Sequence, residues 1–212
     1  DPQADSGLMS AMQTLAEKNL SELILDLRYN PGGDVPVLDK VAAMLVSKDG
    51  VEKLAYRYEK RNRFNYDTDD RYFAAASLRP VAAPSRLIVI TSEHSCSASE
   101  ALIQILQPYM QVVTIGSKTC GKHVGGRVYP RPSAELRLIT FRLHNARGEA
   151  VSPEGIEPTC AAEDDVRFQR GDPRESSLAE ALYFAEFGRC NTHPPGPISK
   201  NCPTSWVSRV PT

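Results

Sequence analysis

The chain has 212 residues, 41% of them hydrophobic and 24% charged, a composition that excludes disorder as the default and suits one large domain or a domain with an appendage. Its net charge is −1, from 25 basic and 26 acidic residues. No overall electrostatic field therefore attracts the chain to nucleic acid, an anionic membrane surface or acidic substrates, and any partner must be recognised by a local site on its surface. No apolar run approaches the roughly 18 residues of a membrane span, and the first three residues are not the start of a signal peptide, so we expect that a leader was removed or that the chain is a piece of a longer protein.

Apolar spacing along the chain predicts alternating helices and strands. In chain order the predicted elements are a helix at 8–19, a strand at 23–27, a loop at 28–34, a helix at 35–47, a strand at 51–58, an irregular insertion at 59–84, a strand at 86–91, a helix at 97–110, strands at 112–116 and 135–143, and a helix at 177–187. Strands interleaved with helices favour an α/β fold with a largely parallel sheet and flanking helices. The ligand site of such a fold lies at the carboxyl ends of the strands.

The domain organisation that we predict has three parts. Residues 1–160 form the core, with the insertion at 59–84, and residues 161–190 form a C-terminal helical extension. Residues 191–212 are a Pro-rich tail, which we expect to dock on the body or on a neighbouring chain. The basic and aromatic stretch 53–63 is followed at once by aspartates, which favours a solvated surface or a substrate-lining flap over a nucleic-acid site.

The segment Thr91–Glu100 joins a predicted strand to a predicted helix. At such a junction a serine hydroxyl is lifted off the sheet edge, and the N–H groups that follow it are unpaired and point outward. Ser97 is therefore the candidate nucleophile, and the Ala98 N–H is a candidate donor to an oxyanion. A simpler interpretation is a capping box, in which Ser97 caps the helix and Glu100 reaches back.

Two further loops follow predicted strands and should open on the same edge of the sheet. Gly32 and Gly33 lie in the first, where a backbone without Cβ lets an N–H point at a carbonyl oxygen. Lys122 lies in the second, among small and apolar residues whose burial of the amine would favour the neutral form that a general base needs. The simpler interpretations are an ordinary turn for the glycines and a solvated surface charge for the lysine. We favour the catalytic interpretation because all three loops occur in order, after three separate strands.

Three sequence blocks, Leu25–Gly33, Ser95–Glu100 and Gly116–Lys122, resemble the signature blocks of the C-terminal processing (tail-specific) peptidases. Gly155–Thr159 resembles the short block that closes their catalytic domain, and the resemblance covers about residues 8–159. Each block is weak alone, but their order and spacing make the set specific. The resemblance implies a Clp-protease/crotonase-like core and a serine endopeptidase that cleaves polypeptides near their carboxyl ends by a Ser/Lys dyad, through an acyl-enzyme.

By this resemblance Ser97 is the nucleophile and Lys122 the general base, with the Ala98 amide and a glycine of Gly32–Gly33 as oxyanion donors. The family usually carries a glutamine that orients the lysine at the position of Gly126. The family also usually has an N-terminal PDZ domain that binds substrate tails. We expect that this module lies outside the chain or does not exist.

Five cysteines are more than a typical reduced cytosolic chain carries, so we expect an exported protein in an oxidising compartment, periplasmic or extracellular. Cys160 and Cys190 flank a predicted helix and could be joined by a disulfide. Cys202 lies in the Pro-rich tail, and at least one thiol stays unpaired within the chain.

Cys96 and Cys120 flank the two catalytic candidates. If those candidates meet in space, a disulfide between the two cysteines is one possibility. Buried free thiols are a second, and zinc held by the two cysteines with His94 and His123 is a third. A pairing of Ser97 with either histidine is also open, although no acid is evident to orient the imidazole.

Two functions remain open from the sequence. The favoured one is a serine endopeptidase with a polypeptide substrate, no cofactor and no metal. The alternative is a binding module for apolar ligands or peptides on the same scaffold, without proteolysis. Neither involves nucleic acid or a membrane span, and either is compatible with a homo-oligomer.

Overall fold

The computed structural model describes residues 2–18, 20–46, 50, 52–61, 64–73 and 84–192. The predicted docking of the Pro-rich tail and the state of Cys202 lie outside these residues. Among the described residues no helix is long and apolar enough to cross a bilayer.

Four helices and eight strands make up the described chain. They are α1 Pro2–Ala16, β1 Glu22–Asp26, α2 Val35–Leu45, β2 Leu54–Arg61, β3 Tyr66–Tyr72, β4 Arg86–Thr91, α3 Ala98–Leu106, β5 Gln111–Gly116, β6 Gly125–Arg131, β7 Ala134–Asn145, β8 Cys160–Ala161 and α4 Ser176–Phe187. Compared with the predictions, α1 begins earlier and α3 ends about one turn sooner.

A four-stranded parallel sheet in the order β1-β4-β5-β8 forms the centre of the fold. Side chains alternate between its two faces, as they do in any strand. Leu87 and Val89 of β4 face an apolar core that includes residues of α2 and α3, whereas Ile88 and Ile90 face a second core that includes Phe184 of α4. Burying each of these aliphatic side chains contributes about 1.5–3 kcal/mol. The predicted α/β fold is therefore confirmed.

A second, antiparallel sheet in the order β3-β2-β7-β6 was not predicted. The prediction that residues 59–84 are irregular is wrong for Glu59–Arg61, which belongs to β2, and for β3. β3 lacks apolar alternation because charged residues occupy much of it, and its contacts with β2 include the ion pairs Arg57–Asp70 and Lys60–Asp69. β6 was not predicted because it begins with two glycines and contains a proline, residues that are unfavourable in most strands. An edge strand such as β6 tolerates a proline.

The C-terminal segment completes the central sheet. β8 extends the sheet beside β5, and Ala181 and Phe184 of α4 are buried against it. A disulfide joins Cys160 to Cys190, with 5.4 Å between their Cα atoms. The expected bridge therefore ties β8 to the end of α4.

Candidate active site

A cleft of about 860 Å³ opens beside the carboxyl ends of the parallel strands. Its wall includes all five residues that the sequence singled out, namely Gly32, Gly33, Ser97, Ala98 and Lys122. Gly32 and Gly33 follow β1, Ser97 and Ala98 follow β4, and Lys122 follows β5. Three separate loops thus bring their side chains and backbone groups to one surface.

Ser97 lies at the start of α3 in a strained backbone conformation. Its φ is 58° and its ψ is −114°, a region that residues with a Cβ rarely occupy. The Ser97 N–H donates to Glu100 Oε2 at 2.8 Å, and the Ser97 carbonyl accepts the Ala101 N–H at 2.8 Å. The half of the predicted capping box that Glu100 supplies is therefore present, and it fixes the backbone of the strained residue.

The loop after β1 packs directly against this serine turn. Gly32 has a φ of +102°, and a Cβ built there would lie 2.8 Å from Ser97 Cβ and 2.9 Å from Ala98 N. The Asn30 carbonyl accepts the Cys96 N–H and the Ser99 hydroxyl, each at 3.1 Å. Only glycine fits at position 32, because both the backbone conformation and the available space exclude a side chain.

Three backbone N–H groups lie at this corner of the cleft, those of Gly32, Gly33 and Ala98. The Gly32 N–H is already used, since it donates to Asn30 Oδ1 at 3.0 Å. The N–H groups of Gly33 and Ala98 have no hydrogen-bond partner within the part of the chain that the structure describes. Of the two glycines, Gly33 is therefore the one with a donor left for a ligand.

Glu100 connects the serine turn to the lysine loop, although its side chain is completely buried. Its carboxylate accepts the Ser97 and Lys122 N–H groups at Oε2, at 2.8 and 2.9 Å. Its Oε1 accepts the Gly121 N–H at 2.8 Å and the Thr119 hydroxyl at 2.5 Å. Sequence reasoning found only the contact with Ser97, because the other three donors come from a loop about twenty residues away.

The Lys122 side chain is exposed, so the expectation that its amine is buried is wrong. Lys122 and Ser97 are both described residues, and no hydrogen bond joins the amine to the hydroxyl. At Gly126 a Cβ would lie 2.6 Å from the Leu138 carbonyl oxygen, so this backbone has no room for the glutamine that the family usually carries there.

A disulfide joins Cys96 to Cys120, with 5.3 Å between their Cα atoms. The alternatives of two free thiols and of a zinc site that uses both thiolates are therefore wrong for this state of the protein. Cys96 is half-buried and Cys120 is exposed. The bridge links the residue before the serine to the lysine loop.

The two histidines lie apart from the serine hydroxyl. The exposed His94 ring stacks on Tyr29, with 5.7 Å between the centroids, and His123 Nδ1 is 3.2 Å from the Gly121 carbonyl oxygen. Neither ring is hydrogen-bonded to Ser97, which is a described residue like both of them. The geometry therefore gives no support to a Ser/His pairing.

A buried arginine anchors the start of the loop after β1. The Arg28 guanidinium makes ion pairs with Asp26, Asp164 and Glu175, at 2.8, 2.5 and 2.9 Å. Burial alone would raise the pKa of Asp26, but the hydrogen bonds and the charge of Arg28 outweigh it and hold that pKa below its ordinary value. Sequence reasoning missed this cluster because two of its carboxylates come from the C-terminal segment.

Comparisons with known proteins identify the family. The model of peptidase family S41 matches residues 2–162. Curated relatives include the carboxy-terminal processing protease CtpB of Bacillus subtilis, 27% identical over 162 residues, which are 76% of this chain and 32% of that protein. The carboxy-terminal-processing protease of Bartonella bacilliformis is 28% identical over 169 residues, 76% of this chain and 36% of that protein. The chain spans about a third of the length of these relatives.

Solved structures agree with the sequence comparisons. A protein of Bacteroides fragilis described as an S41 protease is 26% identical, with a TM-score of 0.79, over 85% of this chain and 49% of that one. The photosystem II D1 C-terminal processing protease, 22% identical with a TM-score of 0.59 over 77% of this chain and 40% of that one, shares the fold. Since the family match covers most of its length, the chain belongs to peptidase family S41.

Proposed function

We propose that the chain carries the catalytic centre of a serine endopeptidase that cleaves polypeptides near their carboxyl ends, as the names of the relatives suggest for those proteins. The observation that carries the proposal is the strained Ser97, held at the wall of a cleft beside two backbone N–H groups that no described residue uses. Strain of this kind persists only where the surroundings over-determine it, and it concentrates at active sites.

In the proposed mechanism the Ser97 hydroxyl attacks the carbonyl carbon of the scissile peptide bond. The neutral Lys122 amine removes the hydroxyl proton and then gives it to the leaving amine. This step leaves an ester between Ser97 and the acyl part of the substrate. Lys122 next removes a proton from water, the hydroxide attacks the ester, and the proton returns to Ser97 as the acid product leaves.

The Ala98 and Gly33 N–H groups stabilise the oxyanion of each tetrahedral intermediate in this scheme. A donor of this kind contributes about 3 kcal/mol of transition-state stabilisation, a factor of about one hundred or more in rate. Gly32 contributes its lack of a side chain, which allows the loop to approach the serine turn. A peptide in the cleft would cover Lys122, which lines it.

The two disulfides support the proposal of an exported protein that works in an oxidising compartment, periplasmic or extracellular. Thiol alkylation before and after reduction, followed by mass measurement, would test it on protein taken from its native source. Alkylation of Cys96, Cys120, Cys160 and Cys190 without prior reduction would contradict this location.

A fluorophosphonate probe tests the nucleophile, because it forms a covalent bond only with an activated serine. The wild-type protein should be labelled at Ser97, and Ser97→Ala should not. Ser117→Ala is the matched control, since Ser117 is exposed and lies just after β5; its labelling should equal that of the wild type. Labelling that persists in Ser97→Ala would rule out Ser97 as the nucleophile.

A binding module for apolar ligands or peptides is the second candidate function. The exposed Lys122, which is not bonded to Ser97, is the observation that favours it. In that case the folded wild-type protein would bind peptide substrates but would neither react with the probe nor release products that a mass spectrum can detect. Slow labelling that Lys122→Met abolishes would instead support the peptidase.

A further inference from the structure

Positive charge is concentrated in the cleft that holds Ser97. Four cationic side chains line it, and Asp34 is the single acidic one among its described residues; the cations are Lys40, Lys122, Arg127 and Arg137. The whole chain, in contrast, has a net charge of −1. The excess of positive charge is therefore a local feature of the cleft and does not reflect the charge of the whole chain.

Two of these cations lie on the hairpin of β6 and β7. Arg127 has no ion pair with any residue that the structure describes. Arg137 pairs with Glu135 at 3.0 Å, but the two side chains are 76% and 56% exposed, and such an exposed pair is weak and easily exchanged for another partner. Both guanidinium groups are thus available to an anionic ligand.

The rest of the cleft wall is largely apolar. Tyr58, Phe141 and Leu143 lie on adjacent strands of the antiparallel sheet, and Leu38 and Ala101 come from the helices. The rings of Tyr58 and Phe141 meet edge to face, with 5.0 Å between their centroids. A ligand that fits this cleft combines an apolar part with a carboxylate, since carboxylates match the planar donor fork of arginine.

We infer, on the basis of the proposed function, that the cleft selects peptides that carry a carboxylate close to the scissile bond and that Arg127 and Arg137 bind this group. The carboxylate comes either from an acidic side chain or from the end of the substrate chain. Either source offers the same planar pair of oxygen atoms to the guanidinium groups.

Four quenched fluorescent peptides separate the two sources. They share one sequence, have glutamate or glutamine next to the cleavage site, and end in a free or an amidated carboxyl group. We expect kcat/KM to be about fivefold higher for a peptide with the bound carboxylate than for its neutral partner, and this ratio should fall as salt screens the pair. A preference for glutamate identifies the side chain as the source, and a preference for the free terminus identifies the chain end.

Variants connect the preference to the two arginines. The double variant Arg127→Gln and Arg137→Gln should lower the ratio to about one, whereas Arg131→Gln should keep it, because Arg131 lies on the same hairpin and does not line the cleft. Equal rates for all four peptides in the wild type, or a ratio unchanged in the double variant, would overturn the inference.

The fluorophosphonate probe distinguishes this failure from a failure of the proposed function. Protein that is labelled at Ser97 but shows no preference among the peptides is a peptidase without carboxylate selection. Binding of the same four peptides to Ser97→Ala, measured by fluorescence anisotropy, repeats the comparison without cleavage. Equal affinities there would overturn the inference even if the wild type were not labelled.

Discussion

The substitution Glu100→Gln tests whether one buried carboxylate holds the serine turn and the lysine loop together. Glutamine has the shape of glutamate but keeps only one acceptor oxygen, and its amide nitrogen is a donor. All four partners of the Glu100 carboxylate are donors: the N–H groups of Ser97, Gly121 and Lys122 and the Thr119 hydroxyl. An amide nitrogen in the place of Oε2 would face the Ser97 and Lys122 N–H groups, whereas in the place of Oε1 it would face only the Gly121 N–H, because the Thr119 hydroxyl can turn to accept.

The expected loss of stability follows from this count. A buried donor left without an acceptor costs about 1–3 kcal/mol, so one or two of them should lower the free energy of unfolding by about 1–6 kcal/mol. The serine and lysine loops would also separate, and misplacement by about 1 Å can lower a rate by a factor of about one hundred. The probe should therefore label the variant at least about tenfold more slowly than the wild type, under conditions in which both are folded.

Urea denaturation followed by circular dichroism gives the stability, and the time course of fluorophosphonate labelling gives the reactivity. Glu93→Gln is the matched control, because Glu93 precedes the same turn with a side chain that is 79% exposed. Its stability should stay within about 0.5 kcal/mol of the wild type. If the free energy of unfolding of Glu100→Gln lies within about 1 kcal/mol of the wild-type value and the variant is labelled at the wild-type rate, the proposed positioning role is wrong.

Two further predictions concern the Cys96–Cys120 disulfide, which a reductant can open, and the Asp26 carboxylate, which acid can protonate. A dithiol reductant should open the Cys96–Cys120 bridge before the Cys160–Cys190 bridge, because Cys120 is exposed and Cys160 is buried. The double variant Cys96→Ser and Cys120→Ser should lose about 3 kcal/mol of stability and be labelled several-fold more slowly, and labelling at the wild-type rate would show that the bridge is dispensable. The lowered pKa of Asp26 stabilises the folded state above the unfolded-state value of about 3.8, and this contribution is lost as the pH falls from there through the lower folded-state pKa. Asp26→Asn should therefore flatten the fall in unfolding free energy below about pH 4, and an unchanged slope in acid urea titrations would contradict the assignment.

The sequence predicted those elements whose residues carry a clear apolar pattern. β1, β4 and β5 are short apolar runs that end in polar loops, so the central sheet and the edge that bears the cleft could be foreseen. β3 and β6 could not, because their residues are mostly exposed and they are held by pairing with a neighbouring strand. An apolar pattern in the sequence therefore predicts only those strands that bury apolar side chains.

The same limit applies within the site. Ser97 could be identified from its place between a strand and a helix, a local feature of the chain. The four donors that meet at Glu100 and the bridge from Cys96 to Cys120 depend on how two distant loops pack. The small and apolar neighbours of Lys122 do not reveal its exposure, because exposure depends on how the lysine loop packs against the rest of the fold.

The backbone of the site is held from three directions, and the lysine side chain is not. Gly32 packs against the serine turn, Glu100 accepts the Ser97 N–H, and the Cys96–Cys120 bridge ties this turn to the lysine loop. These contacts over-determine the strained conformation of Ser97, as such strain requires. The Lys122 backbone shares the Glu100 anchor, but no side chain at position 126 guides its amine. We therefore expect the donors and the hydroxyl to be in place before substrate arrives, and the amine to be ordered by the substrate that covers it.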